Sequence, residues 1–544
     1  MSIFSNPVTH EKFFGREKEL AFLDKKVNDL KSGYRHNVAI LGKRLIGKSS
    51  LLLDFLLSID DPSVLPVYLD LSALTFNNFL DQFIGMLLYN NFKAQIPADT
   101  KPHLQTLIDA YGPSIPKTHK KIKVLYAHLK RQDQKQAYDD LLDLPGCLSS
   151  ETGKFCVIAL DNFSKLSDYA IADPYSVLGE KAMLQKMSLY ILSGYQNADS
   201  MNILSEKLAL LFGKFHIINL EAFSALKSLQ FINSRLKHLQ VPVELKQFLV
   251  YLTNGEPFYL DILTREIYAK ITQSAQVVIE PENFYNIISE FIFSESSVVN
   301  QFFSILIERF FEESDAKTAL KVLNAVLLNN NISDITKAAA APKTVASKIL
   351  ERFTQQNLVV KNGPLFTIED EIFKLWIKSK IIKSSARLKL TQHEYNDSFQ
   401  KEVIGQIDTY NKEARKLNSN KILNLVSAFG NEKLTVGKRT HILPMFKHVN
   451  TENINQEGFF VSAHGSKLWI FSVFRKQIAE DDILDFINYC KNQKHKVSRK
   501  VLIVLNDITP EAKLLALEER MWIWSLNELN ALLNLYGKPK MADL

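Results

Sequence analysis

The stretch GKRLIGKS at Gly42–Ser49 fits the pattern G-x-x-x-x-G-K-[ST], whose residue types and spacing suit the binding of phosphate groups. Backbone N–H groups of such a loop, with the N-terminus of the following helix, present partial positive charge to β- and γ-phosphates. Lys48 adds a mobile full charge, and the Ser49 hydroxyl can complete the coordination shell of Mg²⁺. The pattern predicts contacts from the loop and the next residue, namely Gly42, Lys43, Arg44, Leu45, Ile46, Gly47, Lys48, Ser49 and Ser50.

The segments on either side of this loop provide the setting that it requires. Val38–Leu41 is a short apolar run that predicts a strand, and Ser50–Phe55 begins a helix rich in leucine. An ordinary glycine-containing turn does not require a strand before it and a helix after it. These flanking segments therefore favour a phosphate-binding loop. A second buried strand is predicted at Val64–Leu71, and the apolar spacing of Phe76–Phe92 predicts an amphipathic helix.

A carboxylate follows the continuous apolar run Phe155–Leu160, which is typical of a strand buried on both faces of a parallel sheet. In isolation, Asp161 and Asn162 would be interpreted as turn residues. At the carboxyl end of such a strand, however, an acidic side chain lies near a phosphate-binding loop and can hold the water shell of Mg²⁺. The pairing with Gly42–Ser49 favours this second interpretation, with Ser49 and Asp161 as the candidate metal ligands.

Two further strands are predicted at Leu189–Leu192 and Phe215–Leu220, so that five strands alternate with helices. Alternation of this kind predicts an α/β fold, with a mainly parallel sheet covered on both faces and ligands at the carboxyl edge of the strands. Ser193 is expected at this edge, between the metal site and the γ-phosphate. Lys214, just before the fifth strand, is a candidate second cation.

Composition restricts the class of protein. The 544 residues, 46% of them hydrophobic, supply material for several cores, and we expect roughly three or four domains. No signal-peptide pattern or membrane-length apolar run is evident, which predicts a soluble, cytoplasmic protein without membrane contact. The three cysteines are far apart and form no C-x-x-C, so neither a disulfide framework nor a zinc site is predicted. A net charge of +7 permits contact with nucleic acid but does not require it.

The residues from about Ala94 to Ser150 contain Pro97, Pro102, Pro113 and Pro116 among their prolines and predict a less regular insertion at the periphery of the sheet. The basic run Lys117–Lys123 within them is interpreted as a solvated helix face rather than a phosphate contact.

Five segments together resemble a known family. FFGREKEL, GKRLIGKSS, FCVIALDN, LYILSGY and NGEPFYL occur in the order and approximate spacing of archaeal-type ATPases, members of the STAND branch of AAA+-like P-loop NTPases. The resemblance implies that ATP and Mg²⁺ bind at the loop, that the sheet order is like that of AAA+ proteins, and that a helical lid moves with nucleotide state. It also implies that the adenine base is bordered by Phe14, Gly15, Arg16 and Pro257.

The sequence departs from this family at two positions that bear on hydrolysis. Relatives usually have Asp-Glu where this chain has Asp161 and Asn162, and asparagine cannot act as a general base. Relatives tend to have Gly-Arg where Lys214 stands, and lysine lacks the planar fork that matches phosphate oxygens. Loss of a positioned base typically removes about 10²–10⁴ in rate, so binding should survive better than hydrolysis. The candidate catalytic residues are Lys48, Asp161, Asn162, Ser193 and Lys214.

Four domains are predicted: a P-loop ATPase domain at 1–224, a helical lid at 225–298, a winged helix-turn-helix at 299–383 and a degenerate restriction-endonuclease-like domain at 384–544. In the third, helices at Asn331–Ala338 and Pro342–Gln355 precede a two-stranded wing at Leu358–Ile368. The second helix either contacts duplex DNA or belongs to an internal packing module. The candidate DNA contacts are Lys343, Lys348 and Arg352.

The last domain resembles restriction-endonuclease folds through the order strand, strand, helix, strand. These elements are predicted at Gly458–His464, Lys467–Phe474, Glu480–Asn492 and Lys500–Leu505. Active members need an aspartate followed by Glu-x-Lys on the second strand, where this chain has Ser472, Val473 and Phe474. Asp481 and Asp482 open the next helix and are better explained as capping charges. We therefore predict a module that does not cleave DNA.

Three functions are compatible with these patterns. The favoured one is a slowly hydrolysing ATPase switch whose nucleotide state controls DNA contact, a protein partner or a homo-oligomer. The second is a DNA-binding regulator in which ATP is mainly structural. The third, an ATP-dependent nuclease, is disfavoured because the Glu-x-Lys motif is missing.

Overall fold

The computed structural model describes residues 7–97, 100, 102–208, 215–273, 277–308, 313–386, 392–415, 418–437, 439–453, 458–474, 476–538 and 540–541. The chain divides into two compact units, Met1–Ala222 and Phe223–Leu544. No helix in the described part of the chain is long and apolar enough to span a membrane.

The first unit is a five-stranded parallel sheet with helices on both faces, which confirms the predicted α/β class for this part of the chain. The strands lie in the order β2-β3-β4-β1-β5. The elements are α1 Glu17–Lys31, β1 Val38–Gly42, α2 Lys48–Ser58, β2 Val64–Asp70, α3 Phe76–Phe92, α4 Leu104–Tyr111, α5 Pro116–Lys130, α6 Gln134–Thr152, β3 Phe155–Asp161, α7 Pro174–Leu184, β4 Ser188–Tyr195, α8 Ala198–Asn202 and β5 His216–Leu220.

The two faces of this sheet bury different amounts of apolar surface. On one face, α1 and α2 cover the sheet with a compact cluster that includes Leu51 and Phe55. On the other face, a larger cluster joins α3 through α7 to the strands, with Phe79 and Tyr138 fully buried. The sheet is therefore held from both sides, as continuous apolar strands require.

The prediction of irregular structure between Ala94 and Ser150 is wrong, because most of this segment is helical. Pro116 occupies the first turn of α5, where a missing backbone N–H costs nothing. Pro145 lies inside α6, and tertiary packing of that helix in the core outweighs its helix-breaking tendency. The basic run does lie on a helix, where Lys117, Lys120 and Lys123 are exposed.

The second unit begins with helices and ends with an α/β layer. Its helices are α9 Ala225–Arg235, α10 Val243–Thr253, α11 Pro257–Gln273, α12 Pro281–Phe293, α13 Val298–Glu308, α14 Glu313–Leu328, α15 Ile332–Ala339, α16 Lys343–Gln355, α17 Glu371–Ala386, α18 Gln392–Arg415, α19 Asn418–Val426, α20 Glu480–Lys491, α21 Pro510–Glu518 and α22 Leu526–Leu535. Its strands are β6 Val360–Asn362, β7 Leu365–Thr367, β8 Glu432–Val436, β9 Arg439–Leu443, β10 His448–Asn453, β11 Gly458–His464, β12 Leu468–Phe474, β13 Val497–Val504 and β14 Trp522–Ser525.

The helices α15 and α16 and the antiparallel hairpin β6-β7 lie where the sequence predicts two helices and a wing. Gly363 at the tip of the hairpin has a φ of +58°, a conformation that favours glycine. The assignment of these elements to a winged helix-turn-helix stays a prediction.

The C-terminal sheet has the order β10-β11-β12-β13-β14. Its first three strands pair antiparallel, and β12, β13 and β14 pair in parallel. One face packs against α19 and α22, and the other packs against α20 and α21. The predicted order of two strands, a helix and a third strand is present. Its relationship to restriction endonucleases stays a prediction.

Candidate nucleotide-binding site

The backbone of the loop requires glycine at its two ends. A Cβ atom on Gly42 would lie 2.8 Å from the carbonyl oxygen of Leu220 and 2.9 Å from Cγ2 of Ile46. Gly47 has a φ of +96°, and Leu45 also lies in the left-handed region, with a φ of +61°. Because α2 begins at the next residue, the unpaired N–H groups of its first turn adjoin the loop. The local geometry therefore suits the binding of an anion.

Lys48 is almost wholly buried inside this loop, with only 7% of its surface exposed. Its Nζ donates hydrogen bonds to the carbonyl oxygens of Gly42, at 3.1 Å, and Lys43, at 2.8 Å. Burial lowers the pKa of Lys48 to about 8, the charge of Asp161 opposes this shift, and Arg44 adds to it. At neutral pH the side chain is still mainly an ammonium group. It can therefore form charge-assisted hydrogen bonds to phosphate oxygens.

Asp161 lies at the carboxyl end of β3 and is only 1% exposed. Hydroxyl groups of Ser49 and Ser193 donate hydrogen bonds to its two carboxylate oxygens. The hydroxyl of Tyr68 donates to Oδ2 at 2.9 Å, and the backbone N–H of Asn162 donates to Oδ1 at 3.0 Å. The structure thus brings together Lys48, Ser49, Asp161 and Ser193, four of the predicted site residues. Hard oxygen ligands such as the Ser49 hydroxyl and Asp161 carboxylate fit Mg²⁺.

Three residues that contribute to this site were missed by sequence reasoning. Tyr68 on β2 contacts Asp161, and its pKa is raised by burial and by the charge of that carboxylate. Asp70 ends β2 directly opposite Asp161, and its Oδ1 accepts a hydrogen bond of 2.9 Å from the side-chain amide of Asn162. The Tyr195 ring centroid lies 5.0 Å from Nζ of Lys48. The signal available in the sequence was the spacing of Tyr68 and Asp70. They are two residues apart at the end of a predicted strand, which places their side chains on the same face.

The segment before α1 turns sharply and reaches the loop. Gly15 and Arg16 have φ values of +74° and +68°. Arg16 donates from Nη2 to the carbonyl oxygen of Ile46 at 3.2 Å, and its Nη1 lies 3.7 Å from Glu19. Burial lowers the pKa of Arg16, and the carboxylate of Glu19 opposes this shift. The side chain of Arg16 therefore supports the loop, and its predicted place beside the adenine base stays a prediction.

The first described residues run along α2 towards this turn. The N–H of Val8 donates to the hydroxyl of Ser50 at 3.0 Å, and the N–H of His10 donates to Oδ1 of Asp54 at 2.7 Å. Phe14, between this segment and α1, is half-buried. Ser50 thus has a structural contact besides its predicted place beside phosphate.

The positions of two further predicted site residues stay predictions. Lys214 lies outside the described residues. Pro257 begins α11 in the second unit, and its approach to adenine stays a prediction.

The predicted DNA-contacting side chains differ in exposure along α16. Lys343 and Lys348 are exposed, whereas Arg352 is half-buried and already has an interaction partner. The exposed residues Thr344 and Ser347 lie between the two lysines. Lys343 and Lys348 are therefore the stronger candidates for a phosphate contact.

A cavity of about 880 Å³ lies in the second unit, and none of the loop residues Gly42–Ser49 lines it. Several lysines line it, but Lys374 lies 2.9 Å and Lys540 3.7 Å from Glu371, and Lys378 pairs with Glu402. Because these lysines already have carboxylate partners, the cavity does not replace Gly42–Ser49 as the candidate phosphate site.

Comparison with family models finds no match, and comparison with curated proteins finds none either. Among solved structures, the chain is similar to the Walker-type ATPase PABY2304 of Pyrococcus abyssi, with 16% identity, a TM-score of 0.48, and coverage of 69% of this chain and 98% of that one. It is also similar to the Aeropyrum pernix ORC2 protein in ADPNP–ADP complexes, with 13% identity, a TM-score of 0.44, and coverage of 70% and 98%.

A third similar structure is the Aeropyrum pernix ORC1 protein in complex with DNA, with 12% identity, a TM-score of 0.39, and coverage of 70% of this chain and 95% of that one. At these identities and TM-scores, the likenesses carry no argument about this chain. The assignment of the site depends on its own geometry.

Replacing Asp161 by alanine should impair the part of nucleotide binding that depends on Mg²⁺. The change removes the carboxylate that faces the Ser49 hydroxyl and leaves Lys48 in the loop. ATP affinity should be titrated with Mg²⁺ and with EDTA in the wild type and in Asp161→Ala. An identical dependence on magnesium in both proteins would mean that Asp161 is only a turn residue.

Proposed function

We propose that this protein binds ATP with Mg²⁺ and hydrolyses it slowly, and that its nucleotide state acts as a STAND-type switch. The observation that carries the proposal is the convergence of the buried Lys48 and the Ser49 hydroxyl with the Asp161 carboxylate at the carboxyl edge of a parallel sheet. Ligands of such sheets bind at this edge.

Each group has a distinct role in this proposal. The loop N–H groups and Lys48 bind the β- and γ-phosphates, and Ser49 and Asp161 hold Mg²⁺, which supplies positive charge against the phosphate oxygens. Ser193 fixes the orientation of Asp161 through a hydrogen bond. Asn162 has no proton-accepting carboxylate, which is the reason for expecting slow turnover.

The switch requires further parts of the chain to respond. We propose that the segment 225–298 serves as a lid, that 299–383 is a winged helix, and that 384–544 is a nuclease-like binding module. A change of nucleotide would expose or cover surfaces of these parts for DNA, for a protein partner or for a second copy of the chain.

The test of this function is ATP binding and turnover by the full chain, with and without duplex DNA. Stoichiometric binding with turnover well below the ~1–10³ s⁻¹ usual for enzymes is expected. Lack of ATP binding by the wild type would contradict the proposal.

A second candidate function is DNA binding with ATP in a structural role, and the exposed Lys343 and Lys348 on α16 favour it. A protein that makes several phosphate contacts loses orders of magnitude in DNA affinity over a modest rise in salt. Duplex affinity should therefore be measured at two salt concentrations for the wild type and for Lys343→Gln/Lys348→Gln. Lys433→Gln, a change at an exposed lysine on β8, is the matched control.

The C-terminal module should not cut DNA with Mg²⁺ or Mn²⁺. Phe474 is buried in an apolar cluster at the place of a catalytic charge, and Ser472 is fully buried. The nearby Asp482 accepts a hydrogen bond from the N–H of Ala479 at 2.9 Å and pairs with Lys476, as a helix cap does. Incubation of supercoiled plasmid with each metal should leave it intact. Cleavage that disappears on deletion of 384–544 would contradict this prediction.

A further inference from the structure

The proposed hydrolysis leaves open which carboxylate accepts the proton of the attacking water. Asp161 is buried, and both of its oxygens already accept hydrogen bonds. Asp168 follows Asn162 in the segment between β3 and α7. Its side chain is 57% exposed and pairs with Lys165 at 2.7 Å. Asp70 is the remaining carboxylate in direct contact with Asn162, the residue that stands where relatives have glutamate.

Strand pairing fixes the position of Asp70. In the register of the parallel strands β2 and β3, Asp70 lies opposite Asp161, so its side chain emerges at the same edge of the sheet as the candidate metal site. Asp70 itself is exposed to solvent, whereas Asp161 is not. An acidic group that water can reach thus lies one strand away from the carboxylate that faces Ser49.

The hydrogen bonds of Asp70 leave one of its oxygens available. The Asn162 amide and the N–H of Ser72 donate to Oδ1, at 2.9 Å and 3.0 Å. Within the described residues, Oδ2 accepts no hydrogen bond. Asn162 has a φ of +58°, a turned backbone that suits asparagine and directs its amide to β2. The carboxylate is therefore held at one oxygen and open to water at the other.

We propose that Asp70 is the general base for ATP hydrolysis and that Asn162 is its positioning residue. This inference rests on the proposed function. The water oxygen bonds to the γ-phosphorus while the bond from phosphorus to the bridging oxygen breaks, and ADP leaves with that electron pair. The proton of the water passes to Oδ2 of Asp70 and is later released to solvent.

The test compares single-turnover hydrolysis and ATP affinity in the full chain. Asp70→Asn should lower the hydrolysis rate at least about tenfold, up to the roughly 10²–10⁴ that a positioned base supplies, and leave ATP affinity nearly unchanged. Asp168→Asn, which removes another exposed carboxylate of the same unit, should leave both quantities unchanged. Thermal melts of each variant exclude unfolding as the cause of a loss.

An exchange of the two side chains separates the proposed role from a structural one. The double variant Asp70→Asn/Asn162→Asp keeps one amide and one carboxylate in the pair and should recover most of the lost rate. A hydrolysis rate in Asp70→Asn equal to that of the wild type would overturn the proposal, and so would a wild type that binds ATP without any turnover. A wild type that does not bind ATP would instead contradict the proposed function itself.

Discussion

Lys48→Ala is expected to abolish ATP binding or to weaken it strongly. The variant lacks the ammonium group that lies within the loop and contacts the carbonyl oxygens of Gly42 and Lys43. A hydrogen bond to a charged partner contributes roughly 1.5–3 kcal/mol, so affinity should fall about tenfold to more than a hundredfold. Titration with a fluorescent ATP analogue measures this loss. Unchanged affinity would end the assignment of the loop.

The control for this change is Lys123→Ala, which removes an exposed lysine from α5 in the same unit. It should bind nucleotide like the wild type. Lys48→Ala should also fold normally, because truncation removes a desolvated charge and Asp161 keeps its hydrogen bonds from Ser49, Ser193 and Tyr68. Near-identical melting curves in the absence of nucleotide would show that the loss of binding is local.

Asn162→Glu is expected to raise the single-turnover hydrolysis rate by about one or two orders of magnitude, with ATP affinity nearly unchanged. A glutamate here directly follows the buried Asp161 and would replace Asp70 as the base. Asp70 lies one strand away on β2, which is why the wild-type rate is expected to be slow rather than zero. Asn162→Gln lengthens the side chain without adding a carboxylate and is the matched control. Rapid-quench measurement of ADP formation separates this chemical step from product release.

The opposite result for this residue has a definite meaning. If Asp168 supplied the base, the wild type would turn over at an ordinary rate and Asn162→Glu would gain nothing. Asp168→Ala would then be the damaging change. The pairing of Asp168 with Lys165 is the structural reason for expecting otherwise.

The central part of the site could be predicted because short, local patterns specify it. A strand, a glycine-bounded loop and a helix fix Lys48 and Ser49 within a few residues of one another. Asp161 could be placed because a continuous apolar strand implies burial in a parallel sheet, and the carboxyl ends of such strands share one edge.

Other parts of the site could not be predicted because they depend on pairing between distant segments. Tyr68 and Asp70 contribute only because β2 lies beside β3, a register that no local pattern specifies. The contact of Arg16 with Ile46 likewise depends on a left-handed turn at a residue that is not glycine. The helices between Ala94 and Ser150 were missed because their prolines were interpreted as breakers, whereas Pro116 starts a helix.

Asp70, Asp161 and Ser193 occupy a single row across three adjacent strands, and the backbone ladder sets the spacing of that row. Core strands open only with the cooperative unfolding of their unit, whereas loops fray at a lower free energy. On heating, Asp161 and Ser193, which lie on the inner strands β3 and β4, should therefore stay in place until the sheet melts. The amide protons of β3 should resist hydrogen exchange for as long as the protein retains its affinity for nucleotide.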